Sequence, residues 1–433
     1  MAVFLPFVPN WQNGVRDIYE FKTDIFTARD GSEQRRATRM QARRSLTASV
    51  LLDGDRLRFF ADALTRAKDG KVEIVDFSAE SAVLTQTVAA GGTLLRIDKK
   101  PSWLVSGITC GLLTGRRSRK VQIDFVEGTS VLLNTGVVGA VGHGATLLPL
   151  VPASVANSNT LSLQSNSLAT SSLRFDIEPG YVNRVPDALP VNESASGDSV
   201  QEFGPAAILL GRYVLLRKPN FLNRPQVQFN LPFENVDYGR GIVKTFAPVP
   251  IVSRTLTATY LATSRAEALA MLDVFIRCRG RAGEIYIPTW GNDLPPVTSV
   301  SGSTIRFSGL DVFETYAGDK AHAAILIRDK SGKLYPREIT AITAQAGNTL
   351  LQVHAGLPVA ASQIAEISWL FVARFAQDTF TIEWTTTEVA NLTLSFTTLA
   401  NLAVESSFGS NWILATGFWR DRGQWVDSAT WED

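Results

Sequence analysis

Arg254–Trp290 reads RTLTATYLATSRAEALAMLDVFIRCRGRAGEIYIPTW, and Arg44–Phe77 reads RSLTASVLLDGDRLRFFADALTRAKDGKVEIVDF. Both begin with an Arg and a run that alternates apolar and small polar residues. That period of two marks a strand with one buried face. Both then change period. Leu57, Phe60, Ala61 and Leu64 form one apolar stripe, and Leu269, Leu272, Phe275 and Ile276 form another, at the spacing of an amphipathic helix. Ser264 followed by Glu267 is a capping box for the second helix. Each helix runs out in basic residues and a Gly, and each is followed by a short strand. There Val72, Ile74 and Phe77 line up with Ile285, Ile287 and Trp290. Gly70 and Gly283 are expected to supply positive φ after their helices.

Other blocks recur in the same order. GGTLLRID from Gly91 answers SGSTIRFS from Ser301, and TLSLQSNSLATSSLRFDI from Thr160 answers TFTIEWTTTEVANLTLSF from Thr379. More faintly, the stretch from Phe4 echoes the stretch from Asn230. The spacings, about 210 to 226 residues, point to an internal repeat. The expected fold is therefore mainly β with a few helices, a β-rich α+β chain. It holds two tandem copies of a sandwich- or barrel-like module, each crossed by one helix. The expected divisions are 1–183 for the first module, 184–219 for a linker, 220–400 for the second module and 401–433 for a Trp-rich tail. Pro, Ser and Gly between Arg184 and Pro205 suggest the linker. The alternating runs Lys71–Phe77, Lys120–Val126, Ser172–Ile177, Thr379–Trp384 and Leu392–Leu399 are the clearest strands.

The 433 residues are 45% hydrophobic, enough for a sizeable core. With 42 basic and 41 acidic residues the net charge is +1, which gives no global pull toward nucleic acid or an anionic membrane. A low charge content of 19% suits a protein that buries surface against copies of itself. No apolar run is long enough for a membrane-spanning helix, and the first residues lack the pattern of a signal peptide. Cys110 and Cys278 read as two buried free thiols rather than a disulfide framework.

Catalytic chemistry finds no foothold. His143, His322 and His354 are widely separated and have no ligand spacing. Asp53/Asp55 and Asp421/Asp427 read as solvated turn carboxylates. Thr135–Pro149 is Gly-rich but has neither a dinucleotide fingerprint nor a P-loop Lys. No cofactor, no metal and no enzymatic activity are expected. Contact residues are the better candidates. Arg35, Arg36, Arg39 and Arg43 form a basic cluster. It reads as a hairpin loop, an arm on an acidic neighbour, or a lining for a pore that DNA traverses. Trp290, Asn292 and Asp293 lie in a turn that is either a contact surface or an edge loop. Trp412, Trp419, Trp425 and Trp431 crowd a polar tail and call for burial, on this chain or a neighbouring one.

The second copy resembles virion proteins from the tails of long-tailed bacteriophages, siphovirus-like tail-tip and distal tail proteins. Arg279, Gly280, Arg281, Gly283, Pro288, Thr289, Trp290, Asp293 and Leu294 carry the likeness. The first copy has Lys68, Gly70 and Phe77 but no Pro-Thr-Trp turn. The resemblance implies a structural protein made in the bacterial cytoplasm and built into the virion. It would form a homo-oligomeric ring around the tail channel, either a trimer acting as a pseudo-hexamer or a hexamer. Its neighbours would be tube, hub and fibre proteins. DNA would meet it only in passing through the lumen, and no membrane is involved. The competing reading is a carbohydrate- or receptor-binding β-module for host attachment, with Trp11, Trp103 and Trp290 as sugar-stacking candidates.

Overall fold

A computed structural model of the chain describes residues 2–27, 32–115, 117–155, 160–181, 200–201, 206–231, 233–237, 239, 241, 243–246 and 252–399. The Trp-rich tail and its four tryptophans lie outside these residues. The described chain is mainly β, with three α-helices.

The first half opens with β1 (Val3–Phe4), β2 (Val15–Glu20) and the hairpin β3 (Thr23–Thr27) and β4 (Glu33–Ala37). Strand β5 (Arg43–Asp53) turns Leu46, Ala48, Val50 and Leu52 inward, as its alternation dictates. Helix α1 (Gly54–Arg66) packs Phe60 and Ala63 into the core, and Gly70, at φ +71°, turns the chain into β6 (Lys71–Val75). A satellite follows, made of β7 (Ala82–Val83), β8 (Leu94–Arg96), β9 (Thr109–Thr114), β10 (Arg117–Glu127) and β11 (Ser130–Leu133). The chain returns through β12 (Thr146–Val155) and the hairpin β13 (Ser162–Ser165) and β14 (Leu168–Ile177). The main sheet runs β2–β5–β14–β12–β6–β1, antiparallel except for β6 with β1. The satellite runs β8–β11–β10–β9–β12 around its own core of Leu95, Leu112, Ile123 and Leu147.

The second half contains β15 (Val200–Gln201), β16 (Ala206–Leu209), β17 (Arg212–Leu215), β18 (Gln226–Asn230), and the hairpin β19 (Glu234–Asp237) and β20 (Val243–Phe246). Then come β21 (Ser253–Ala262), α2 (Arg265–Arg277) and β22 (Ile285–Pro288). Its satellite comprises β23 (Val297–Ser301), β24 (Thr304–Ser308), α3 (Asp311–Tyr316), β25 (Ala324–Asp329), β26 (Lys333–Gln345) and β27 (Asn348–Val353). It closes with β28 (Ile364–Phe375), β29 (Thr379–Trp384) and β30 (Ala390–Thr398). The main sheet runs β18–β21–β30–β28–β22–β17, again parallel only at the last pair. The satellite runs β24–β27–β26–β25–β28. Pairing order is thus the same in the two halves. Register agrees as well: Leu46 faces Phe175 and Leu256 faces Phe396, while Val72 faces Ala153 and Ile285 faces Ala373.

Three sequence expectations need correction. The counterpart of the N-terminal stretch is not the segment from Asn230. Val3 pairs with Val72 as Tyr213 pairs with Ile285. Farther on, Asn10 and Asn220 each cap a one-turn 3₁₀ helix, accepting from the backbone N–H of Gln12 and of Leu222. The matching words are PNWQN (9–13) and PNFLN (219–223). The second half therefore includes residues that read as linker. Its strand β17 buries Val214 and Leu215, with Leu216 just beyond. The β16–β17 turn at Leu210 and Gly211 has positive φ at both positions, the conformation of a tight hairpin. Finally, Gly283 sits at φ −82°, and the positive φ falls on Arg279 and Gly280. Gly283 is required for a different reason: a Cβ there would lie 2.6 Å from Cys278 Cα.

The halves are joined edge to edge. Strand β2 pairs antiparallel with β29 over six residue pairs, from Val15 with Trp384 to Glu20 with Thr379. The core is continuous across this seam, where Phe21 and Phe380 pack on Phe275 of α2.

Candidate functional site

The seam is completed by an arm. Hairpin β3–β4 leaves the first half and lies on the second. The Thr23 backbone N–H and hydroxyl donate to the Asp378 carboxylate at 2.7 and 2.8 Å. Arg374 grips Glu33 with two bonds of 2.7 and 2.9 Å. Arg35 and Arg212 converge on Glu284. Burial acts to raise the Glu284 carboxyl, but Arg212 and Arg35 outweigh it and hold it below the usual carboxylate range. Glu33 is likewise pushed up by burial and held low by Arg374. The basic cluster is thus divided. Arg35 serves the seam, Arg39 donates to the Glu20 carbonyl at 2.8 Å, and Arg36 and Arg43 stay exposed.

A buried ion cluster fixes β2 from the other side. Arg44 on β5 donates to Asp17 of β2 at 2.8 and 3.0 Å and to Asp76 beyond β6 at 2.9 and 2.9 Å. Ser78 joins both carboxylates, and Tyr19 donates to Asp17. Burial would raise the Asp76 carboxyl, yet the Arg44 guanidinium brings it down to about 2. The same pairing raises Arg44 against its own desolvation. Every arm of the guanidinium is used, so the cluster positions a strand rather than offering a reactive group. In the second half, Arg254 instead stacks on the rings of Phe371 and Phe229, 4.5 and 5.3 Å from their centroids.

Within its turn Trp290 is internal, which corrects its reading as a contact, while Asn292 stays exposed and Asp293 is partly buried. Trp290 is 5% exposed and packs with Leu216, Tyr286 and Leu326. Asp293 accepts from the Trp369 N–H at 2.8 Å, and Asn292 accepts from the Ile367 N–H at 3.4 Å. Ser368 donates to the Gly291 carbonyl. These bonds lock the turn onto β28 and leave Trp290 no face for a partner. Trp11 and Trp103 are partly buried against the two cores of the first half, and the Trp103 indole donates to the Glu80 carbonyl.

Sequence reasoning missed the open edges. Strand β18 occupies the place of β2 but pairs only with β21 among the described residues. Strand β13 occupies the place of β29 but among the described residues pairs only with β14. Hairpin β19–β20 follows β18 as β3–β4 follows β2, yet among the described residues it pairs only with itself. Residues of this region stand in solvent where their counterparts are buried. Phe229 is 57% exposed and Tyr19 2%; Leu231 is 57% and Phe21 2%. On the other edge Leu163 is 68% exposed, whereas Trp384 is 1%. Fully burying one such side chain is worth about 1.5–3 kcal/mol, so these edges leave several kcal/mol unrealised. Strand β18, QVQFN, carries no Lys, no Pro and no charge, the usual guards of an edge strand. Leu163 could have signalled this, since β13 is exposed at all four positions and still contains a Leu.

Both cysteines are buried and free, and burial pushes their thiols up to about 12. Among the described residues no three His, Cys, Asp or Glu converge as a metal-binding group, and no helix is long and apolar enough to cross a membrane. No protein-family model matches the chain, and comparison with curated proteins returns no match.

Proposed function

We propose that this chain is a structural virion protein, a ring-forming component of a bacteriophage tail tip. In this reading a single β-rich unit was copied in tandem, and the two copies still fold alike. The chain is made in the bacterial cytoplasm and assembles with copies of itself around the tail channel. The ring links the tube to hub or fibres, without catalysis. A chain with two equivalent modules presents six modules from three copies, so a trimer can match a six-fold tube. The observation that carries the reading is the repeated order of strand pairing, which leaves complementary sheet edges at the two ends of one chain. The tail assignment itself rests on the Arg279–Leu294 likeness.

Two measurements test it. Native mass spectrometry of the purified full chain is expected to give three chains per ring, and six would replace the pseudo-hexamer with a true hexamer. Antibody raised against the chain is expected to label tail tips of purified virions. Particles lacking the protein would overturn the tail assignment.

A further inference from the structure

The seam inside the chain is a template for a second seam that the chain cannot make alone. Asp17 on β2 faces Leu46 on β5 and Ile382 on β29. In the second half Val227 on β18 faces Leu256 on β21, the counterpart of Leu46, and no strand among the described residues pairs with its outer side. On the far end, Leu163 faces Ala169 as Trp384 faces Ala390. Two residues before Trp384 comes Ile382, so Leu161 is its counterpart.

We infer that the β18 edge of one chain takes the β13 edge of a second copy, antiparallel, with Val227 opposite Leu161. The contact repeats the β2–β29 seam between chains. Three features favour a second copy over another partner. The required edge exists on the same chain at its opposite end. The residues exposed on β18 and just beyond it are apolar where their intrachain counterparts are buried. Hairpin β19–β20 stands where β3–β4 stands, ready to lie on the next module as β3–β4 lies on the second half. Such an interface is heterologous: each copy uses two different surfaces, and repetition closes into a ring or runs on as a filament. Main-chain pairing of this kind is strand addition to an open edge.

The inference extends the ring proposal, but its test does not need a virion. The full chain is studied by native mass spectrometry and sedimentation. The wild type is expected to run as multiples of the chain mass. Phe229→Lys and, separately, Leu163→Lys are expected to run as monomers that keep a folded near-ultraviolet spectrum; melting of Leu163→Lys should be unchanged because the position is exposed, and that of Phe229→Lys slightly lower because Arg254 loses a ring it stacks on. Mixing the two variants is expected to restore one heterodimer and nothing larger, since each blocks a different edge. Val227→Cys mixed with Leu161→Cys under mild oxidation should give a disulfide-linked dimer, and neither variant alone should. The native Cys110 and Cys278 are buried and do not compete. A monomeric wild type, an assembly that survives Phe229→Lys, or self-crosslinking of Val227→Cys alone would overturn the inference. Loss of virion labelling with these contacts intact would instead fault the tail assignment only.

Discussion

Arg44 shows how one side chain can hold a seam. It gathers Asp17 and Asp76 from two different segments, and removing either acid leaves a buried guanidinium short of its counter-charge. Breaking a buried pair this way costs about 3–5 kcal/mol. Asp17→Asn and Asp76→Asn are each expected to lower stability by that order in urea titrations. Removal of an exposed acid such as Asp55 should change it little. The acid side follows from the sign of the shift. The Asp76 carboxyl is depressed to about 2 in the folded chain, against about 3.9 for a free Asp. Its stabilising contribution is complete above pH ~4 and disappears as pH falls through about 2. Unfolding free energy of Asp76→Asn should accordingly vary less than that of the wild type over this window. Two glycines make a second contrast. At Gly70 the backbone is left-handed with space around it, so Gly70→Ala should cost about 1–2 kcal/mol. At Gly283 the conformation is ordinary, but a methyl meets Cys278 backbone, an overpacking cost of about 1–3 kcal/mol. Calorimetry of both variants checks the pair. Only Gly70 should tolerate Asn, which adopts positive φ more readily than Ala.

Helices α1 and α2 occupy equivalent places and are not alike. Helix α1 buries only Phe60 and Ala63, and Phe59 faces solvent. Helix α2 buries Leu269, Met271, Leu272, Val274 and Phe275, because it lies over the seam with Phe21 and Phe380. Its start is well held: Ser264 accepts from the Glu267 N–H, and Glu267 accepts from the Thr263 N–H at 2.8 Å. Ser264→Ala should remove about 1 kcal/mol, read as a lower midpoint in chemical denaturation. The alternating apolar pattern made the strands and the two helical stripes readable before any coordinates, because period reports which face is buried. It could not show that α2 would be covered on more than one side. The segment from Ala206 to Leu215 was lost to the polar character of what precedes it, although the two apolar runs split by Leu210–Gly211 carry a hairpin signal.

At the level of the whole molecule, the two halves depend on each other. Strand β2 of the first half pairs along its whole length with β29, and Phe21 just beyond it packs on Phe275 of the second half. Expressed alone, residues 1–181 should therefore expose an apolar edge at β2 and aggregate, while the full chain stays dispersed. Light scattering at equal concentration distinguishes the two. In hydrogen exchange, amides of β2 and β29 should be among the slowest, opening only with global unfolding. Those of β18 should exchange fast in an isolated chain and slow down in an assembly.

Sequence by itself determined the mainly β character of the chain, its clearly alternating strands, helices α1 and α2 and the turn at Gly70. Each is set by local period and local backbone preference, which residues carry with them wherever they fold. Tertiary structure decided the rest. It sank Trp290 into the core, put Arg35 on Glu284, joined β2 to β29 and, among the described residues, left β18 and β13 each with one open side. Those outcomes depend on which segments meet across long stretches of chain, more than three hundred residues for β2 and β29, and no local pattern encodes that choice.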